Sequence, residues 1–295
     1  MYSGDDMKVA LVDFWEGFDL ERNFFTIAGG LMGHDFVRDP AKADAIIYSL
    51  FGQEHKDPKY DSKKRIAFLT EPYNAPEFTF YDPLVKADYV LGFDHIENER
   101  QARLPLWYLY IDWFDIATYG NPQYLVPVKD LVTPNRYSQV EKKRRCAIVY
   151  SKPVPSREQL MTHVRRVMPC DHYGRGGVPL SAGEQNKLAM LALYQFSIAA
   201  ENTIQYGYVT EKVLHAKVAG TVPIYYGYSL DPLMNPDCVI HIRPQTKNDP
   251  LWELVEKLRL IVDNAPRFNH LINQPLFKQL PTVDPAMDAL ERALS

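Results

Sequence analysis

The stretch Phe196-Ser-Ile-Ala-Ala-Glu-Asn-Thr-Ile-Gln-Tyr-Gly-Tyr-Val-Thr-Glu-Lys212, resumed at Ala219-Gly-Thr-Val-Pro-Ile-Tyr-Tyr-Gly227, carries the reading of the fold. Its first residues, 196–200, are a short apolar run of strand length. A loop over 202–209 leads to Thr210, a residue type suited to an N-cap. The helix that follows over 211–219 is stopped by Gly220. Residues 221–226 return to strand. Strand, helix and strand in this order make an α/β unit with a parallel sheet. The loop after the first strand then lies at the carboxyl edge of that sheet, where α/β domains bind ligands.

The same alternation recurs on either side. Residues 146–150 read as a strand. Ser156 and Gln159 fit a capping box opening a helix, and Ser181 and Glu184 repeat the device before the apolar run 188–193. Asp249-Pro250 opens a further helix whose apolar face is Leu251, Leu254, Val255, Leu258 and Ile261. Towards the N-terminus, 8–15, 45–51, 65–70 and 89–93 read as strands and 20–31 as a helix. Continuous apolar runs bounded by turn residues suit parallel sheets covered on both faces. Between 118 and 145 the pattern breaks. Pro122, Pro127 and Pro134 precede the charged run Glu141-Lys-Lys-Arg-Arg145, which reads as a solvated surface ahead of a strand. The chain is therefore expected to form two α/β domains, 1–131 and 132–295, with ligands in the cleft between them.

Composition narrows the function classes. With 295 residues, 46% hydrophobic and 24% charged, the chain is neither disordered nor fibrous. A net charge of −4 supplies no global field for nucleic acid, so no nucleic-acid partner is expected. The 3 cysteines lie far apart and form no C-x-x-C pair, which suits a reducing compartment. No stretch reaches the roughly 20 apolar residues that span a bilayer. The first residues lack the basic region and apolar core of a signal peptide. The chain reads as soluble and cytoplasmic, which leaves peripheral membrane association open. The 19 tyrosines suit either packing or the stacking of sugar rings and flat ligands.

Two cations are out of place. Lys212 and Arg157 each fall in the first turn of a predicted helix, where the positive end of the dipole disfavours them. A neighbouring carboxylate, Glu211 or Glu158, compensates either one alone. Together they point to an absent anion, since helix N-termini with Arg and Lys nearby form phosphate sites. A diphosphate suits two cations on separate elements. Glu211, after the strand 196–200, could accept hydrogen bonds from ribose hydroxyls. The chain has neither a P-loop nor a G-x-G-x-x-G fingerprint, which turns the reading from NTPases and dehydrogenases towards a nucleotide sugar.

The stretch quoted first closely resembles the signature of the α1,3-fucosyltransferases of glycosyltransferase family 10: F-E-N, a short loop, Y-[VI]-T-E-K, a helix, then [TV]-[IV]-P-[IV]-x-x-G. Family-like features also occur in Phe68-Leu-Thr-Glu-Pro72, Leu91-Gly-Phe-Asp94 and residues 151–157. Ala200 departs from the pattern, since many members carry Phe before the Glu-Asn pair. The resemblance implies a GT-B fold, two Rossmann-like domains facing a central cleft, with an N-terminal acceptor domain and a C-terminal GDP-fucose domain. It implies that Arg157 and Lys212 hold the diphosphate and Glu211 the ribose, with Asn202 and Tyr208 lining the donor pocket. Glu201 would orient the loop or face the fucose. Glu71, at the end of the strand 65–70, matches the family's catalytic glutamate and would act as base. Tyr73 and Trp107, with Phe78 and Tyr81, either border the acceptor or pack the core.

No Asp-x-Asp or paired-histidine motif is present, so no metal and no cofactor beyond the GDP-fucose donor is expected. The expected reaction is inverting transfer of L-fucose to the 3-hydroxyl of GlcNAc in an N-acetyllactosamine-type oligosaccharide or glycoconjugate, giving a Lewis x-type product. The absence of a membrane span suits a bacterial-type or a truncated enzyme. The alternatives are another GT-B nucleotide-sugar transferase or an inactive glycan-binding homologue.

Overall fold

The computed structural model describes residues 6–72, 87–134, 137, 139–150, 152–180, 184–244 and 251–295. It divides into two compact units, Met1–Leu125 with Thr282–Ser295, and Val126–Pro281. The unit boundary falls inside the proline-rich segment singled out from the sequence.

In the first unit, β1 (Lys8–Val12), β2 (Asp35–Phe36), β3 (Ala45–Tyr48), β4 (Lys64–Phe68), β5 (Tyr89–Gly92) and β6 (Gln101–Arg103) form one parallel sheet among the described residues. Its order is β2-β1-β3-β4-β5-β6, with Val9 opposite Ala45 and Ile47 opposite Ile66. All of β3 is buried, because helices and loops cover both faces. Helix α1 (Phe24–Leu31) begins later than the expected residue 20. Asn23 stops it from extending backwards: its side chain accepts from the N–H groups of Phe25 (2.8 Å) and Thr26 (3.2 Å), and the Thr26 hydroxyl accepts from its own N–H (3.0 Å).

The second unit contains β7 (Arg144–Val149), α2 (Pro155–Val164), β8 (Cys170–Tyr173), α3 (Glu184–Leu191), β9 (Tyr194–Ala200), α4 (Glu211–Val218), β10 (Val222–Tyr226), β11 (Ile240–Ile242), α5 (Leu251–Val262) and α6 (Ala265–Ile272). The sheet is parallel in the order β8-β7-β9-β10-β11, with Phe196 of β9 opposite both Cys146 and Val222. Leu160, Val164, Phe196, Ile198, Ile224, Leu254 and Leu258 fill its core. The chain runs from β7 outwards to β8, then returns past β7 to β9. The β7/β9 seam is thus a topological switch point.

Ser156 is not the N-cap of α2. Val154 holds that place without a side-chain bond, and Pro155 is the first helical residue. Proline suits that position because its fixed φ matches the helix and its missing N–H would be unpaired there anyway. Arg157 remains in the first turn. Residues 181–183 and 249–250 of the other two expected caps lie outside the described residues, although α3 and α5 begin next to them. In the basic run, Arg144 pairs with Asp171 (2.7 Å), Arg145 donates to Gln195 (2.9 Å) and Lys142 to the Ala192 carbonyl (2.7 Å). Glu141, Lys143, Arg144 and Arg145 are exposed, as a surface role requires, but Lys142 is half-buried and burial pushes its pKa down to about 8.

The C-terminal helix α7 (Asp284–Leu294) differs from the sequence division at 131/132, which placed it in the second domain. It packs on β5, β6 and α1 of the first unit, burying Ala286, Leu290, Ala293 and Leu294. Those side chains share one helical face, and β5 and β6 offer an apolar surface to receive it. The three cysteines are buried thiols. No described helix is long and apolar enough to cross a membrane.

Candidate active site

The carboxyl end of β9 continues as Ala200, Glu201 and Asn202, and these three residues gather both cations singled out from the sequence. Arg157 reaches across from α2. Its guanidinium donates to the Ala200 carbonyl (3.0 Å), to the Lys152 carbonyl (3.1 Å) and to the Asn202 side-chain oxygen, and it sits 5.6 Å from the Tyr150 ring centre. Lys212 comes from the first turn of α4. Its Nζ donates to Glu201 Oε2 (3.0 Å) and Thr210 Oγ1 (2.8 Å). One strand end at the switch point therefore holds a guanidinium and an ammonium.

Glu201 is fully buried and bonded to the start of α4: Oε1 accepts the Thr210 N–H at 2.9 Å and Oε2 the Thr210 hydroxyl at 2.8 Å. Of the two roles expected for it, these bonds match the orienting of the loop. Thr210 is the N-cap of α4, as expected, but its side chain makes no cap bond. Positive partial charge at that helix end is thus met by no side-chain oxygen of its own cap.

Glu211, 16% exposed, lies 3.9 Å from the Lys212 ammonium. Burial raises its pKa, but the charges of Lys212, Lys187 and His215 overcome this and push it down to about 2. The carboxylate stays ionised and acts only as an acceptor of hydrogen bonds. Lys187 and His215 were missed from the sequence. Lys187 Nζ lies 3.1 Å from Nδ1 of the buried His215. His215 is four residues after Glu211, one turn along the same helix face, and that spacing was the available signal.

Tyr208 belongs to the loop between β9 and α4 and is only 2% exposed. On the same loop, the exposed Tyr206 meets Tyr228 edge to face at 5.6 Å, an aromatic pair with no local sequence signal.

In the first unit, Glu71 lies three residues beyond β4, half-buried, next to Thr70, whose hydroxyl bonds Ser49 at 3.2 Å. It sits at the carboxyl edge of its own sheet. Trp107 is fully enclosed and stacks on Tyr108 at 4.1 Å, so it packs the first unit. Tyr73, Phe78 and Tyr81 lie outside the described residues.

Two Rossmann-like parallel sheets, one with a basic cluster at its switch point, define the GT-B class of glycosyltransferases. The chain belongs to glycosyltransferase family 10, the fucosyltransferases: residues 139–272 match the C-terminal model of that family, and residues 9–110 match the α-(1,3)-fucosyltransferase FucT N-terminal domain. It is similar to the α-(1,3)-fucosyltransferase FucT of Helicobacter pylori, 24% identical over 280 residues that cover 85% of this chain and 57% of that protein. The chain thus spans little more than half the length of this relative. A crystal structure of an α1,3-fucosyltransferase aligns with a TM-score of 0.73 at 20% identity, covering 100% of this chain and 92% of the other. Another, of α1,3-fucosyltransferase with GDP-fucose, aligns with a TM-score of 0.70 at 20% identity, covering 98% and 90%.

Proposed function

We propose that the protein transfers L-fucose from GDP-fucose, with inversion, to the 3-hydroxyl of GlcNAc in an N-acetyllactosamine-type acceptor, giving a Lewis x-type product. The observation that carries this reading is the gathering of Arg157 and Lys212 by Ala200, Glu201 and Asn202 at the switch point. In the proposed reaction the second unit takes the donor and the first the acceptor. Glu71 removes the proton of the acceptor hydroxyl as its oxygen bonds to the fucose anomeric carbon. The bond from that carbon to the diphosphate oxygen breaks, through an oxocarbenium-like transition state. Arg157, Lys212 and the N-terminus of α4 stabilise the charge on departing GDP, so no acid is needed for the leaving group. Glu211 accepts from the ribose hydroxyls. The reaction proposed here uses no metal, and turnover should survive an excess of EDTA.

The deciding assay is GDP release with N-acetyllactosamine, run beside Glu71→Gln. A loss of about 10²- to 10⁴-fold is expected for the variant. Equal turnover removes Glu71 from the base role. Calorimetry with GDP, UDP and ADP tests the donor, where preference for UDP or ADP would overturn GDP-fucose. GDP binding without release across an acceptor panel would leave a glycan-binding homologue.

A further inference from the structure

The proposed reaction gives no chemical step to Glu201, yet its carboxylate is fully enclosed. A buried charge is retained at a cost unless its partners are complete. Here three donors converge on it: the Thr210 N–H (2.9 Å), the Thr210 hydroxyl (2.8 Å) and the Lys212 ammonium (3.0 Å). Its own N–H donates to the Tyr226 carbonyl (3.0 Å), which ties this residue to the end of β10. The Thr210 hydroxyl has one proton. It gives that proton to Glu201, and its lone pairs accept from Lys212 at 2.8 Å. An N-cap threonine ordinarily turns this oxygen onto the first-turn amides of its own helix. At α4 it makes no such bond. Both the ammonium and the hydroxyl are therefore aimed by one side chain rooted in the sheet.

We propose that Glu201 is a positioning residue of the donor site: it fixes the Lys212 ammonium for the diphosphate and holds the Thr210 hydroxyl off the start of α4. This rests on the donor assignment above and deepens it. A glutamine would not serve, because its amide nitrogen would face one of three donors.

Two readouts test the proposal in the intact chain. In the nucleotide-free protein, Lys212 acylation by acetic anhydride, followed by peptide mass spectrometry, should be several-fold faster in Glu201→Gln. The ammonium loses the nearer of its two carboxylates there, with Glu211 remaining at 3.9 Å, and the neutral amine becomes more populated. This readout needs no nucleotide, so it stands apart from the donor assignment. By calorimetry, Glu201→Gln should weaken GDP binding by about tenfold, and by at least about fivefold less in a Lys212→Met background, as coupled neighbours require. Unchanged acylation overturns the proposal, as does an equal penalty in both backgrounds. Failure of the parent to bind GDP would instead sink the donor assignment and leave the acylation result to decide. Circular dichroism reports folding. If Glu201→Gln does not fold, Glu201→Asp, which keeps the charge but retracts it from Lys212, should show the same faster acylation, and parental acylation there overturns the proposal.

Discussion

Arg157 joins oxygen atoms from three separate places, Lys152, Ala200 and Asn202. Only a rigid planar fork spans them together, and a lysine has one point of attachment. Arg157→Lys should lower stability by about 2 kcal/mol in urea titration and weaken GDP by more than about tenfold in calorimetry. Parental values for both would mean the fork is dispensable. In the first unit, Asp13 stands just after β1 with φ at 59°. Its carboxylate accepts the N–H groups of Glu54 (3.0 Å) and His55 (2.9 Å) and bonds His55 Nδ1 at 2.5 Å. A Cβ on Gly52 would lie 2.0 Å from Asp13 Oδ1. Gly52→Ala should therefore cost about 1–3 kcal/mol by thermal melting, while an exposed glycine such as Gly30, with nothing within 4 Å of its added Cβ, serves as the control. The two cations were legible in the sequence because each breaks the dipole preference of its own helix. Asp13 was not, because the partners that define it come together only on folding, and Glu201 was legible only through the family resemblance, with two roles left open until its bonds to Thr210 and Lys212 were seen.

At the scale of elements, what the sequence disclosed was the interior of each sheet. The strands β1, β3, β4, β5, β7, β9 and β10 carry apolar runs because neighbours cover both faces. Edge strands lack that pressure. Asp35–Phe36, Gln101–Arg103 and Cys170–Tyr173 are short or polar, and they escaped notice. The start of α2 was misplaced because a serine suited to capping follows Pro155, whose ring fixes the true first position. Helix α6 shows another limit. Its last carbonyls, Leu271 and Ile272, accept from Lys217 Nζ at 3.2 and 2.8 Å, a cap delivered by α4 from far away in sequence. Burial pushes the Lys217 pKa down to about 8. Holding this charge inside costs stability in full below that pH, and the cost is relieved as pH rises towards the ordinary lysine value. The stability of the parent relative to Lys217→Met should climb from pH 8 to 10 by roughly 1 kcal/mol per pH unit. A flat difference would show that Lys217 titrates normally.

For the molecule as a whole, the informative element is α7. Met287, Leu290 and Leu294 are buried in the first unit, with Ala286 and Ala293 between them. Removing residues 282–295 should cost the first unit roughly 5 kcal/mol, from the area these side chains withdraw from water. Urea unfolding followed by a fluorescence probe placed in that unit would show an earlier midpoint, and an unchanged midpoint would mean that α7 is accessory. The same helix sets a timetable on the ribosome. Residues 126–281 leave the exit tunnel before α7 does, so the second unit has its full complement of chain first. The sheet of the first unit waits with β5 and β6 uncovered until α7 arrives. During that interval the nascent chain offers an apolar face to chaperones and proteases, and of these two units the first is completed only after the second.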